Sequence, residues 1–195
     1  MNTNQSKTNR LVGMAVLCAI TVVLTIVASY IKFGPFSITL AMVALVIGAV
    51  MYGVSGGLAL GAVFGVVVLI FVINGVDAGG HMLWAANPPV TALLCVVKGT
   101  AAGGAAGLVY AAVSRFNKNA GVITAALAAP LTNTAVFVVS MPIFYYDTLK
   151  LWAGETSVLY FTIFGLVGVN SLLELGLNAI LSPGILRIIQ AVKRV

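Results

Sequence analysis

The sequence has very few charged residues. Asp and Glu number 4 and Lys and Arg number 10, so that 7% of the residues are charged while 61% are hydrophobic. A soluble globular domain carries roughly a quarter of its residues as charged side chains, and this composition therefore excludes the ordinary soluble class. No charged residue occurs between Lys32 and Asp77, an interval long enough for two membrane crossings at about 20 residues each. We expect an all-α integral membrane protein.

The chain also lacks the motifs of metal, redox and nucleotide chemistry. Its single histidine is His81, and Cys18 and Cys95 lie far apart inside apolar runs, so neither HExxH nor CxxC occurs. Without GxxxxGK[ST] the chain cannot hydrolyse ATP by itself. A membrane enzyme would need a second titratable group near His81, for which Asp77 is the local candidate. We expect no metal, no cofactor and no enzymatic activity.

Hydrophobic runs and the breakers between them predict a single membrane domain over residues 1–195 with six transmembrane helices. The helices are predicted at 11–31, 36–52, 55–74, 88–114, 120–145 and 157–181, followed by a short basic tail. With this topology one side of the membrane holds Lys7, Arg10, Arg115, Lys118, Arg187, Lys193 and Arg194, and the other holds Lys32 and Lys150. The positive-inside rule then places both termini in the cytoplasm. The net charge of +6 is explained by this topology and does not indicate nucleic-acid binding.

Lys98 is the most unusual residue of the predicted fourth helix. It lies about ten residues inside an apolar run, roughly 15 Å deep by helical rise, where a charge is costly unless it faces a cavity, a partner or a ligand. We predict that Lys98 binds an anionic group such as a carboxylate. The alternative is a structural ion pair between Lys98 and Glu174 of the sixth helix.

Glycines repeat every fourth residue on two of the predicted helices. Such ladders let another backbone approach closely, which is how many membrane helices pack together. The fourth helix carries Gly99, Gly103 and Gly107, and the third carries Gly57, Gly61 and Gly65. We therefore expect the fourth helix to be central, with neighbours on both sides.

Further polar residues lie where a lipid-facing helix would not place them. Asn170, Glu174 and Asn178 share one face of the sixth helix, which must look into the bundle, either to bind a ligand or to hydrogen-bond to other helices. Asn133 follows Pro130, whose ring frees a backbone carbonyl. Trp84 and Asn87 precede the fourth helix and suit a flap over a ligand, although an interfacial anchor would also explain Trp84. The predicted substrate-binding residues are Trp84, Asn87, Lys98, Asn133, Asn170 and Glu174.

Three stretches carry a family resemblance. They are Ala15-x-x-x-Ala19 in the first helix, GAVMYGVSGGLALGAVFGVVVLI across the second and third, and N-x-I-L-S-P-G-I-L-R from Asn178 to Arg187. With its size and its predicted helices, the chain resembles the S components of energy-coupling factor (ECF) vitamin transporters, the subunits that bind the substrate.

The resemblance implies a function and a set of partners. Ala15 and Ala19 would dock a transmembrane coupling subunit, which works with two cytoplasmic ATPases in the plasma membrane of a prokaryote. A small water-soluble vitamin would bind near the external side, and the protein would topple in the membrane to release it inside. A lone buried lysine with flanking amides suits a carboxylated vitamin, pantothenate first and folate next.

Two other function classes fit the same residues. A secondary transporter or channel could work without partners and use Lys98 and Glu174 as its coupling pair. A tightly packed bundle without a pocket could instead serve as a membrane scaffold.

Overall fold

The protein is almost entirely helical in a computed structural model, which describes the backbone of residues 3–30, 32–33, 36–37 and 39–193. Side chains are described there except at 3–6, 32–33, 36–37, 166–167, 169–170 and 192–193. The helices are α1 Thr3–Ser29, α2 Met42–Ile73, α3 Ala78–Ala86, α4 Pro88–Val113, α5 Lys118–Phe144, α6 Tyr146–Ala153, α7 Val158–Tyr160 and α8 Val169–Lys193, with a π-helical stretch at Phe161–Gly168. Among the described residues, 5 helices are long and apolar enough to cross a membrane. The fold is therefore that of an all-helical protein with several membrane-spanning helices.

Helix α2 folds back on itself at Gly53. This residue has φ 76° and ψ −169°, a conformation that essentially only glycine adopts. A Cβ atom built on Gly57 would lie 3.1 Å from Cβ of Ala49, although residues eight apart in a straight helix are about 12 Å apart. The two arms of α2, residues 42–52 and 54–73, are therefore antiparallel neighbours. The chain thus reverses direction between the predicted second and third helices, at Gly53.

The first arm of α2 is short. At 1.5 Å per residue it is about 16 Å long, roughly half the thickness of the hydrocarbon layer. Six complete crossings and the cytoplasmic position of both termini therefore stay predictions.

The expected start of this helix at residue 36 is wrong. Residues 32–33 and 36–37 form two short antiparallel strands, β1 Lys32–Phe33 and β2 Phe36–Ser37, with Lys32 opposite Ser37 and Phe33 opposite Phe36. Gly34 and Pro35, which separate the strands in sequence, both disfavour a helix. The helix begins only at Met42.

The first arm forms the centre of the main hydrophobic core. From Ala41 to Val50 every residue except Val43 is buried, as expected for a helix that is apolar on all sides. The other buried members come from all of the long helices: Leu17 of α1, Leu60 and Phe64 of the second arm, Ala102 and Ala106 of α4, Val122, Ala125, Ala126 and Ala129 of α5, and Ile185 and Ile189 of α8. We call this set the first cluster.

The second arm of α2 packs against α4 through the two glycine ladders. A Cβ atom built on Gly57 would collide with the carbonyl oxygen of Gly103, and one built on Gly61 would collide with that of Gly99. A Cβ atom on Gly65 would lie 2.6 Å from the carbonyl oxygen of Cys95. Each step of four along one helix matches a step of four back along the other, so the helices are antiparallel. This confirms the close backbone approach predicted from the ladders.

Two segments that lie between the predicted helices contain short helices of their own. Helix α3 lies in the segment between α2 and α4, where Asp77 caps it by accepting a hydrogen bond from the Gly80 N–H at 3.4 Å. His81 Nδ1 lies 2.9 Å from the carbonyl oxygen of Val72 and links α3 to the end of α2. Helix α6 occupies most of the segment after α5. Helix α3 follows α2 and helix α6 follows α5, so both short helices lie at the same end of the bundle.

The expected end of the last helix at residue 181 is also wrong, because α8 continues through Pro183 to Lys193. Proline lacks the N–H that would bond to the carbonyl four residues earlier, which here belongs to Ala179. The Ser182 hydroxyl donates a hydrogen bond to this carbonyl at 2.8 Å. The freed acceptor is therefore satisfied, and the helix passes through the proline.

We predict that Gly103→Ala destabilises the protein by about 1–3 kcal/mol, the usual effect of overpacking. The matched control is Gly184→Ala in α8, where a new Cβ atom meets nothing within 4 Å and alanine favours the helix. Thermal unfolding in detergent should show a lower midpoint for Gly103→Ala and an unchanged or higher one for Gly184→Ala. Equal midpoints would contradict the close packing of α2 and α4.

Candidate functional site

Lys98 of α4 lies beside an aromatic ring of α5. Its side chain is half-buried, and its Nζ atom lies 5.4 Å from the centre of the Phe137 ring. An ammonium over a ring face at this distance makes a cation–π interaction. The ring offers no hydrogen-bond acceptor of the usual strength, so this contact leaves the donors of the ammonium available.

Glu174 of α8 is a buried carboxyl group near the segment that precedes α2. Its side chain is 4% exposed. Thr39 and Lys98 lie close enough to interact with this carboxyl group. The positive end of the α2 dipole, which begins just after Thr39, favours a negative charge at this point. Lys98 and Glu174, which the sequence suggested as a pair, therefore lie within the range of electrostatic interaction.

Two buried amides next to these charges have an oxygen without a partner. Asn133 is 8% exposed and Asn178 is 2% exposed, and the Oδ1 atom of each has no hydrogen-bond partner among the described residues. Leaving such an acceptor unpaired costs about 1–3 kcal/mol, so it calls for a ligand or a water molecule. Asn178 Nδ2 donates to the backbone carbonyl of Glu174 at 2.9 Å, a contact within one helix.

These polar residues lie at one end of the first cluster. Along α5, Asn133 is one turn beyond Ala129 and Phe137 is one turn further. Along α4, Lys98 is one turn beyond Ala102 in the same direction, because α4 and α5 are consecutive antiparallel helices. We call Thr39, Lys98, Asn133 and Glu174 the polar layer.

A second hydrophobic cluster covers the other side of the polar layer. Leu94 lies one turn beyond Lys98 on α4, and Met141 lies one turn beyond Phe137 on α5. The buried members of this second cluster are Leu83, Leu94, Met141, Tyr145 and Leu149. Along α4 and α5, Lys98 and Asn133 therefore lie between two apolar clusters, where a polar group is costly unless it has a partner or a ligand.

Tyr145 ties the second cluster together. Its hydroxyl lies 2.6 Å from Oγ1 of Thr91 and donates to the backbone carbonyl of Asn87 at 3.4 Å. Burial raises the pKa of Tyr145, although the hydrogen bond with Thr91 acts in the opposite direction. The phenol therefore stays protonated at neutral pH and remains a donor. The end of α5 is thus fastened to the junction of α3 and α4.

A family comparison bears on this arrangement. The model of a family described as "ECF transporter, substrate-specific component" matches residues 9–186. The chain belongs to this family. A comparison with curated proteins gave no match. Members of the family are transporter subunits and not enzymes, and membership implies a small-molecule substrate and an energy-coupling module. Family membership therefore favours the function of a substrate-specific transporter subunit over that of a carrier without partners, a channel or a scaffold.

The predicted site residues of this S component fall into two groups. Lys98, Asn133 and Glu174 belong to the polar layer. Trp84 is half-buried on α3, Asn87 makes its hydrogen bonds to Thr91 and Tyr145 through its backbone carbonyl, and the side chain of Asn170 lies outside the described residues. A ligand contact by these last three stays a prediction.

Two residues that lie beside the predicted site residues were not expected from the sequence. Phe137 follows Asn133 by one helical turn, and this spacing alone would have placed both on one face. Thr39 gives no such signal, because it lies in a segment that the hydrophobic pattern assigned to a helix. Its position depends on the strands and the turn that precede Met42.

The predicted docking residues of the S component are on its surface. Ala15 and Ala19 are exposed on α1, a helix that packs mainly against α2. Large apolar side chains surround them on the same outward face: Leu11, Val12, Val16, Ile20 and Val23. Among the described residues these side chains are exposed, so this face can contact lipid or another membrane subunit.

Proposed function

We propose that this S component binds a small carboxylated vitamin in the polar layer, with pantothenate as the first candidate and folate as the second. The observation that carries the proposal is a cation and an unpaired acceptor in one polar layer. Lys98 supplies the cation, and Asn133 Oδ1 is the acceptor. A ligand with a carboxylate and a hydrogen-bond donor would satisfy both.

The charges of the layer support an anionic ligand. Glu174 lies near Thr39, while the Lys98 ammonium faces the Phe137 ring. A carboxylate can form charge-assisted hydrogen bonds with the ammonium, which are about twice as strong as neutral ones. Pantothenate also carries hydroxyl and amide N–H groups that could donate to Asn133. Its chemistry therefore matches the unsatisfied groups.

The transport cycle follows from the family and the topology. We propose six crossings with both termini in the cytoplasm, as the distribution of Lys and Arg supports. The vitamin then enters from the external side of a prokaryotic plasma membrane. A transmembrane coupling subunit docks on Ala15 and Ala19, and two cytoplasmic ATPases supply the energy that this chain cannot obtain from ATP.

Mass spectrometry of small molecules that copurify with the chain in mild detergent tests the ligand. We expect a stoichiometric carboxylated vitamin, because a ligand that is bound with high affinity stays with the protein during purification. A neutral or cationic ligand would contradict the assignment of Lys98. A protein that contains no vitamin and binds neither pantothenate nor folate when titrated would contradict the proposal.

We predict that Lys98→Ala weakens pantothenate binding by about thirtyfold or more, because removing one partner of a buried charged hydrogen bond costs at least about 2 kcal/mol. Titration calorimetry of the purified variant measures the loss. The matched control is Lys150→Ala on α6, where the lysine is exposed and the affinity should not change. An unchanged affinity for Lys98→Ala would remove this residue from the site.

We predict that Ala15→Leu with Ala19→Leu blocks vitamin uptake but leaves binding intact, because the new side chains would separate α1 from the coupling subunit. Uptake is measured in cells that contain the coupling module, and binding is measured on the purified chain. The control is Ala135→Leu on α5, another exposed alanine. Normal uptake by the double variant would contradict the docking assignment.

A further inference from the structure

We propose that the turn between α4 and α5 anchors one end of the protein to the headgroups of anionic phospholipids. The turn consists of Arg115, Phe116, Asn117 and Lys118, and we call it the basic turn. The Phe116 ring inserts between the lipids, while the two cations bind lipid phosphate groups. The inference is independent of the vitamin and of the polar layer.

The Phe116 side chain points away from the protein. It is 93% exposed, the highest value among the large hydrophobic residues whose side chains are described. The Phe116 and Asn117 N–H groups both bond to the carbonyl of Val113, at 3.0 and 3.1 Å. Asn117 Oδ1 in turn accepts hydrogen bonds from the N–H groups of Asn119 and Ala120, at 2.9 and 3.2 Å, and caps α5. The backbone is thus fixed on both sides of Phe116, and the ring is presented to the surroundings.

The lengths of α4 and α5 place the basic turn at the depth of the headgroups. The two helices have 26 and 27 residues, so each is about 40 Å long at 1.5 Å per residue. The hydrocarbon layer is about 30 Å thick, and the bilayer with its headgroups is about 40–45 Å thick. A helix of this length that crosses the membrane therefore ends within the headgroup region. An aromatic ring at this depth reaches the acyl chains, and neighbouring cations reach the phosphates.

Arg10 of α1 lies at the same end of the protein as the basic turn. Its Nη2 atom donates a hydrogen bond to Ser55 Oγ at 3.1 Å, next to the reversal of α2 at Gly53. The reversal also lies against the last part of α4, because a Cβ atom built on Gly107 would be 2.7 Å from Cα of Val54. The start of α1, the reversal of α2 and the basic turn therefore form one surface, which we call the end surface.

Among the described residues the end surface has cations but no acidic side chain. The 4 acidic residues of the chain lie at the opposite end or in the interior: Asp77 caps α3, Asp147 is on α6, Glu155 follows α6 and Glu174 is buried in α8. An anionic membrane surface complements this distribution of charge. Each Lys or Arg close to such a surface strengthens binding by about fivefold.

The stability of α5 does not explain Lys118. This lysine is the first residue of α5, where the positive end of the helix dipole repels a cation. Arg115 differs, because it follows the end of α4, where the dipole favours a positive charge. A phosphate group beside Lys118 removes the repulsion, since the start of a helix attracts anions. Lys118 therefore fits a partner that carries negative charge.

Native mass spectrometry of the detergent-purified chain tests the anchor. Phosphatidylglycerol and phosphatidylcholine with the same acyl chains are titrated separately, so that the two lipids differ in the charge of the headgroup. We expect Arg115→Gln with Lys118→Gln to weaken phosphatidylglycerol binding by about thirtyfold, the effect of two cations, and phosphatidylcholine binding by less than about twofold. Phe116→Ser should weaken the binding of both lipids, because the ring contacts the acyl chains of either.

The matched control lies at the opposite end of the protein. Lys150→Gln with Tyr146→Ser on α6 also removes an exposed cation and an exposed aromatic ring, but these residues lie beside Asp147. The control should bind both lipids as the wild type does. All of the substituted side chains are exposed, so each variant should keep the thermal unfolding midpoint of the wild type in detergent.

Four outcomes would overturn the inference. The first is a wild type that binds the two lipids equally, and the second is an Arg115 and Lys118 double variant that keeps the affinity of the wild type for phosphatidylglycerol. The third is a control that loses as much affinity as this double variant. The fourth is unchanged lipid binding by the double variant together with reduced vitamin uptake in cells that contain the coupling module, which would assign the end surface to a protein partner. Vitamin binding is measured separately, and its failure would contradict the proposed function without affecting the anchor.

Discussion

A helix that begins inside the protein imposes the main constraint on this structure. The first arm of α2 starts at Met42, which is completely buried together with Ala41. The first turn of any helix presents N–H groups without partners inside the helix, and at a buried end these groups cannot turn to water. A nearby acceptor and a negative charge stabilise such an end. Glu174, whose carboxyl group lies near Thr39 just before this end, provides such a group.

The polar layer follows from this constraint. A carboxylate placed at the start of the arm needs a nearby positive charge, and Lys98 provides it from α4. The glycine ladders bring α4 close enough to do so, because the second arm of α2 and α4 touch along their backbones. The buried start of α2, the ladders and the charged pair thus depend on each other. One arrangement explains why a highly apolar chain keeps a lysine and a glutamate inside its helices.

Much of the fold could be predicted from hydrophobic runs, because lipid selects apolar segments of sufficient length. The ladders, the reversal near Gly53 and the presence of Lys98 and Glu174 in one site were also accessible, since each leaves a local signal. The start at Met42 was not, because residues 36–41 are almost as apolar as the helix that follows them. The helix through Pro183 was missed because its stability depends on the Ser182 hydroxyl. Thr39 lies near Glu174, which is 135 positions away in the chain, a distance that no local pattern can bridge.

The two hydrophobic clusters differ in a way that bears on how a ligand reaches the layer. Among the described residues the first cluster has 18 buried members and the second has 5, so less apolar surface must be exposed to open the layer on the side of the second cluster. That side is built partly from the short helices α3 and α6 and is fastened by the hydroxyl of Tyr145 to Thr91. Regions with few buried contacts open at a lower free energy than the core does. The first cluster, which surrounds the central arm of α2, would stay intact while a ligand enters.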